Sequence, residues 1–145
     1  MNDLEKILQS AVSVSRDISD LLKMSTYLEF NDMSGLKIDY KDPEQLFLLD
    51  ELRDIMESLD KAADHINYLN QPVKYTGYLH KNSRGRYETT FREYTCGSGI
   101  EVFLYDDFWE RDRWVKTRVE HDGRDYYLVG YNNVGMENLK VRVRE

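Results

Sequence analysis

The sequence predicts an α+β protein: an N-terminal antiparallel helical hairpin over residues 1–71, then a small antiparallel β-barrel over residues 72–145. Three observations predict it. Apolar residues recur at steps of three and four up to about residue 66, and at steps of two after Pro72. Charge divides at the same place, because residues 1–70 carry 15 acidic and 7 basic side chains, a net −8, and residues 71–145 carry 12 and 13, a net +1. Short Gly-containing turns then separate the segments of the second half.

The first helix is predicted over about residues 3–24. Leu4, Ile7, Leu8, Ala11, Val14, Ile18, Leu21 and Leu22 form its apolar stripe, and Asn2 or Asp3 supplies the N-cap. The second helix is announced by Asp42 as cap, Pro43 at the first helical position and Gln45 in the capping-box place. Leu46, Leu49, Leu52, Met56, Leu59, Ala63 and Ile66 continue it until Asn70-Gln71-Pro72, where proline cannot extend the hydrogen-bond ladder. Between the helices, Ser25 to Lys41 holds Tyr27, Leu28, Phe30, Leu36, Ile38 and Tyr40 around an Asn31-Asp32-Met33-Ser34-Gly35 turn, and is expected to be a small β-hairpin or a packed loop. The apolar stripes exceed what one helix pairing buries, so further cover is expected, from the barrel or from a homodimer through the helices.

Beyond Pro72, Val73, Tyr75, Gly77 and Leu79 alternate with Lys74, Thr76, Tyr78 and His80. A turn at Asn82–Gly85 returns the chain as a strand over Arg86 to Phe91, and Cys96-Gly97-Ser98-Gly99 is the next break. Ile100, Val102 and Leu104 then face one way, and Glu101, Phe103 and Tyr105 the other. Trp114 to Glu120 pairs with Asp125 to Tyr131 across His121-Asp122-Gly123-Arg124, an Asp-Gly hairpin signal. Leu139 to Arg144 closes the series. Five or six short strands in this span read as an SH3-like barrel.

Gly77-Tyr78-Leu79, Gly85-Arg86-Tyr87-Glu88 and Cys96-Gly97-Ser98-Gly99-Ile100-Glu101-Val102 form an ordered series. It continues through Trp114-Val115, Thr117-Arg118-Val119-Glu120-His121 and Tyr126-Tyr127-Leu128-Val129 to Leu139–Arg144. The pattern, over residues 73–145, resembles a domain-of-unknown-function family of small β proteins encoded by phages and mobile elements of Gram-positive bacteria. That resemblance implies an accessory protein of a mobile element. It implies no activity, because no catalytic residues come with it.

Composition excludes some classes. A chain with 12% aromatic residues, 11 of them Tyr, is not depleted in the large apolar groups whose burial offsets chain entropy. No apolar run approaches the roughly 20 residues that span a bilayer, and Met1-Asn2-Asp3-Leu4-Glu5 opens acidic, unlike a signal peptide. One cysteine, Cys96, rules out an internal disulfide and fits a reducing cytoplasm.

Catalytic motifs are missing from this pattern. His65, His80, His121 and Cys96 show no metal-ligand spacing, so neither metal nor cofactor is expected. A Cys96–His121 nucleophile is the weakest option, since no oxyanion arrangement accompanies it. Gly97-Ser98-Gly99 leads into a strand, whereas phosphate loops lead into a helix N-terminus.

Three surfaces are candidates for binding. The segment Asp106–Arg113 sets Phe108 and Trp109 beside Arg111 and Arg113 in a mixed-charge loop, and Trp and Arg dominate protein-binding hot spots. In an extended segment one of the adjacent aromatics would anchor inward while the other stays available. Asp50, Asp54, Glu57 and Asp64 form an acidic stripe on the second helix, a surface for a basic partner, with Arg53 and Lys61 expected to pair with Glu57. Lys81, Arg84 and Arg86 at one turn, with Lys116 and Arg118 at another, lie among aromatics that stack on single strands in small barrels. The expected function is therefore non-catalytic: a cytoplasmic protein-binding accessory factor, such as an anti-CRISPR-like inhibitor of a host defence nuclease. The alternative is nucleic-acid binding through the Arg and aromatic surface, which the sequence pI near 5.0 opposes.

Overall fold

The computed structural model, which describes residues 1–145, begins with a complete capping box. The Asn2 side chain accepts from the Glu5 amide, and the Glu5 carboxylate accepts from the Asn2 amide, both at 2.8 Å. These bonds satisfy two of the orphan donors that open any helix. The helix they start is α1 (Asp3–Met24). A second long helix, α3 (Pro43–Asn70), is capped by Asp42, whose carboxylate accepts from the Glu44 amide at 2.9 Å. Gln45 reaches back as expected, but its carbonyl takes the Asp39 amide, at 2.9 Å, rather than the cap's own.

Helices α1 and α3 are in contact. Ile18 and Leu22 share a core with Leu49, Met56 and Ala63, which sit seven residues apart along α3. The connector is packed but contains no β-hairpin. It forms a single helical turn, α2 (Tyr27–Phe30), bracketed by Thr26 and Asn31 in the left-handed region at φ 62° and 55°. Those two residues turn the chain so that Tyr27 and Met33 enter the helix core. Gly35 lies against Phe30 and Thr26 so closely that a Cβ would stand 2.6–2.9 Å from their atoms.

Contacts divide the chain into Met1–Gln71 and Pro72–Glu145. In the second unit the strands are β1 (Val73–Tyr78), β2 (His80–Lys81), β3 (Tyr87–Glu88), β4 (Glu93–Tyr94), β5 (Gly99–Asp106), β6 (Arg111–His121), β7 (Tyr126–Leu128) and β8 (Lys140–Arg144). All pairings are antiparallel, in a five-stranded sheet ordered β1-β8-β5-β6-β7 and a three-stranded sheet ordered β2-β3-β4. The expected barrel does not close in the pairing, since β1 and β7 remain the two edges of the larger sheet. The predicted strand Arg86–Phe91 shrinks to Tyr87–Glu88, because Thr89 leaves the ladder to cap a turn with the amides of Phe91 and Arg92.

Alternation on β5 is as predicted, with Ile100, Val102 and Leu104 in the core beside Val115, Val119, Leu128 and Val141. The opposite face holds a buried carboxylate, Glu101, which accepts from Arg142 and Arg144 at 2.8 Å each. Arg142 also lies over the Trp114 ring, 4.2 Å from its centroid. Trp114 is thus half-buried on the charged face and is not part of the core. No helix of the chain is long and apolar enough to cross a membrane.

Candidate functional site

Strands β5 and β6 pair without interruption from Gly99–Arg118 to Asp106–Arg111, so only residues 107–110 are left to turn the chain. A turn this tight needs its amides satisfied and one residue in an unusual conformation. Asp106 meets the first need. Its carboxylate accepts from the Phe108 and Trp109 amides at 2.9 and 3.1 Å, the Asx arrangement that aspartate forms with amides just ahead of it. Glu110 meets the second, at φ 50°. The Arg113 guanidinium clamps the other Asp106 oxygen from the neighbouring strand. Arg113, with the two turn amides, holds the Asp106 carboxyl below the ordinary value of 3.8. The turn is therefore braced by an ionised side chain at neutral pH.

This geometry corrects the expectation that one of Phe108 and Trp109 points inward. Both project, at 83% and 63% exposure, with rings in T-shaped contact at 5.1 Å. Alternation belongs to extended backbone, and these two residues lie in a turn. Arg113 is engaged by Asp106, whereas Arg111 is exposed and makes no ion pair. The tip thus combines two projecting aromatics with one available guanidinium.

Behind the tip lies a cleft of about 390 Å³. One wall is Tyr105 to Phe108; the other is the loop Gly130 to Val134. Sequence reasoning found the first wall and missed the second. Its signal was present in Gly130 and in Asn132-Asn133, turn-forming residues with exposed amides between strands.

The acidic stripe belongs to the other unit. Asp50, Asp54, Glu57 and Asp64 are all exposed on α3. Glu57 pairs with Lys61 at 3.1 Å as expected. Arg53, however, pairs with Asp50, at 3.3 Å, so two of the four charges are compensated locally.

The cations of the nucleic-acid alternative are engaged by carboxylates. Lys81 binds Asp125 at 2.9 Å, Arg84 and Arg86 both hold Glu93, and Arg118 binds Glu120 at 3.0 Å. Lys116 is exposed on β6. Phosphate contact at most of these positions would first have to displace an internal carboxylate. Cys96 is exposed, and its thiol donates to Glu120 at 2.8 Å, which pushes its pKa above the ordinary thiol value. A nucleophilic cysteine needs the opposite shift. The His121 Nδ1 accepts from the Gly123 amide at 3.0 Å in the β6–β7 turn.

Residues 77–144 match the model of a family described as a domain of unknown function (DUF5348). The matched span contains every strand from β2 to β8, the hairpin tip and both walls of the cleft. Neither a curated protein nor a solved structure matches the chain.

Proposed function

We propose that this protein is a non-catalytic binding protein that docks on a protein partner through the β5–β6 hairpin tip. The observation that supports the reading is the exposure of Phe108 and Trp109 on a turn braced by Asp106 and Arg113, next to the unpaired Arg111. A braced turn loses little backbone entropy when the aromatics it carries bind, and Trp and Arg are the commonest anchors of protein interfaces. The two sheets, antiparallel and sharing one core, are read as an SH3-like scaffold, and the helix pair as an antiparallel hairpin. The resemblance to proteins of phages and mobile elements supports an accessory role in such an element. The concrete version is an inhibitor of a host defence nuclease, acting in the bacterial cytoplasm. Nucleic-acid binding through Lys81, Arg84, Arg86, Lys116 and Arg118 is the second reading, and the ion pairs above weigh against it.

The test uses the full chain as bait in a bacterial lysate with and without nuclease treatment, followed by affinity measurement on the purified partner. Trp109→Ala with Arg111→Ala is expected to weaken binding by more than about 2 kcal/mol, the hot-spot threshold. Its thermal midpoint should stay near that of the parent, because neither side chain contributes to the core. A stable double variant that binds its partner unchanged overturns the reading. Capture that disappears on nuclease treatment transfers support to the nucleic-acid alternative.

A further inference from the structure

We infer that the cleft behind the hairpin tip receives a cationic side chain, lysine or arginine, presented by the protein partner. The inference rests on the proposed docking at the tip and adds the chemistry that would be recognised beside it.

The lining of the cleft decides the sign of the ligand. Tyr105, Phe108 and Tyr131 contribute aromatic surface from both walls. An aromatic face carries the negative part of the ring quadrupole and attracts a cation placed over it. The carboxylates are Asp106 and Asp107, and no lysine or arginine lines the cleft. Asp106 is committed to Arg113 and to two turn amides. Asp107 is exposed and makes no ion pair, so one negative charge stands uncompensated at the mouth. Asn132 and Asn133 add exposed amides on the far wall.

Alternative ligands fit this lining less well. An anion would meet the uncompensated Asp107 carboxylate, and no lysine or arginine lines the cleft to offset it. A neutral apolar group would cover the rings but desolvate Asp107 without a partner, which is costly for an ionised group. A lysine or arginine matches both the aromatic surface and the uncompensated Asp107. Its methylene stem packs on the rings, as such stems do on apolar surface, and its charged head reaches Asp107 and the asparagine carbonyls. The volume, about 390 Å³, admits a side chain of that size.

The probes are capped tripeptides with central lysine or arginine, compared with their neutral isosteres norleucine and citrulline. Each is titrated into the full-length protein and followed by amide NMR. Saturable shifts are expected at the Asn132 and Asn133 side-chain amides with the cationic peptides, and about tenfold weaker binding with the neutral ones. Asp107→Asn should reduce the cationic preference by about fivefold to tenfold, with the rest of the spectrum preserved. Equal binding of cationic and neutral peptides, or an Asp107→Asn variant that binds the lysine peptide as the parent does, overturns the inference. Two outcomes separate it from the docking proposal. If no peptide enters the cleft while the Trp109–Arg111 double variant loses its partner, the cleft inference fails alone. If the lysine peptide fills the cleft while that variant keeps its partner, docking at the tip fails and the cation site stands.

Discussion

Twelve buried side chains form the core of Pro72–Glu145, and seven form that of Met1–Gln71, although the two units are nearly equal in length. The exposed large hydrophobics run the other way, with 14 in the helical unit and 6 in the β unit. Geometry accounts for the difference. A helix buries a stripe, so two helices in contact share one seam and leave the neighbouring rows of side chains in water. On α3, Leu49, Met56 and Ala63 take the seam, and Leu48, Leu52 and Ile55 remain outside it. Two sheets enclose a core from more directions, and the loop through Met136 adds to it. The β unit therefore satisfies its own apolar surface, while the helical unit presents a face on which further cover would be stabilising.

The sharpest way to break this comparison is to truncate one apolar side chain in each unit. Leu128 has no exposure, and Leu128→Ala is expected to cost about 3 kcal/mol from lost transfer energy and the cavity left behind. Ile55 is 48% exposed, and Ile55→Ala should cost less than about 0.5 kcal/mol. Chemical denaturation of each variant in the full chain measures both. Comparable losses would show that Ile55 is covered in solution, and light scattering at the same concentration would then report whether a second copy covers it.

How much of this was legible in the sequence follows from how local each cause is. The change of period at Pro72, the Asn2 and Asp42 caps and the Asp122-Gly123 turn are all set by residues close together in the chain, and each is found where the sequence predicts it or within a residue or two. The departures have distant or uncharacteristic causes. Glu101 reads as a solvent-facing residue on a strand, and it is buried because Arg142 and Arg144, 41 and 43 residues away, close over it. Lys81 reads as an available cation, and Asp125, 44 residues on, takes it. The α2 turn depends on Thr26 in a left-handed conformation, which a β-branched residue rarely adopts, so no propensity could announce it. The candidate site divides the same way. Phe108, Trp109 and Arg111 stand out in the sequence, but the second wall of the cleft comes from residues 130–134 and is brought there only by the fold.

A smaller effect sharpens the contrast from the helical side. The connector contributes Tyr27 and Met33 to the helix core, and Gly35 is where it passes closest to Phe30 and Thr26. A methyl group at Gly35 would stand 2.6 Å from Phe30 Cε2 and 2.9 Å from Thr26 Cβ. Phe30 is half exposed and can swing away, but Thr26 is fixed by its backbone bonds to the helices on either side. Gly35→Ala is thus expected to cost about 1–3 kcal/mol, the usual range for overpacking, with helix content reduced and the β unit intact by near-UV spectra. Loss of less than a few tenths would mean that the connector is a loose tether and no part of the helical core.

The smallest effect has the opposite sign. Tyr94 is fully buried in the β core, and its hydroxyl has no hydrogen-bond partner. Burial raises its pKa above the ordinary 10.0, with Arg92, 5.0 Å from the ring centroid, opposing the shift. The phenol is therefore neutral at every pH where the protein would be handled, and ionisation does not enter. What remains is the desolvation of a hydroxyl that finds nothing to bind, set against the packing of the ring that carries it. Tyr94→Phe keeps the ring, its contacts with the core and the Arg92 stack, and deletes the orphaned oxygen. It is expected to raise the denaturation free energy by about 1 kcal/mol, the low end of the cost of an unmet buried polar group. A decrease would show that the hydroxyl is hydrogen-bonded in solution, and that the β core, like the helical face, depends on something beyond its own side chains.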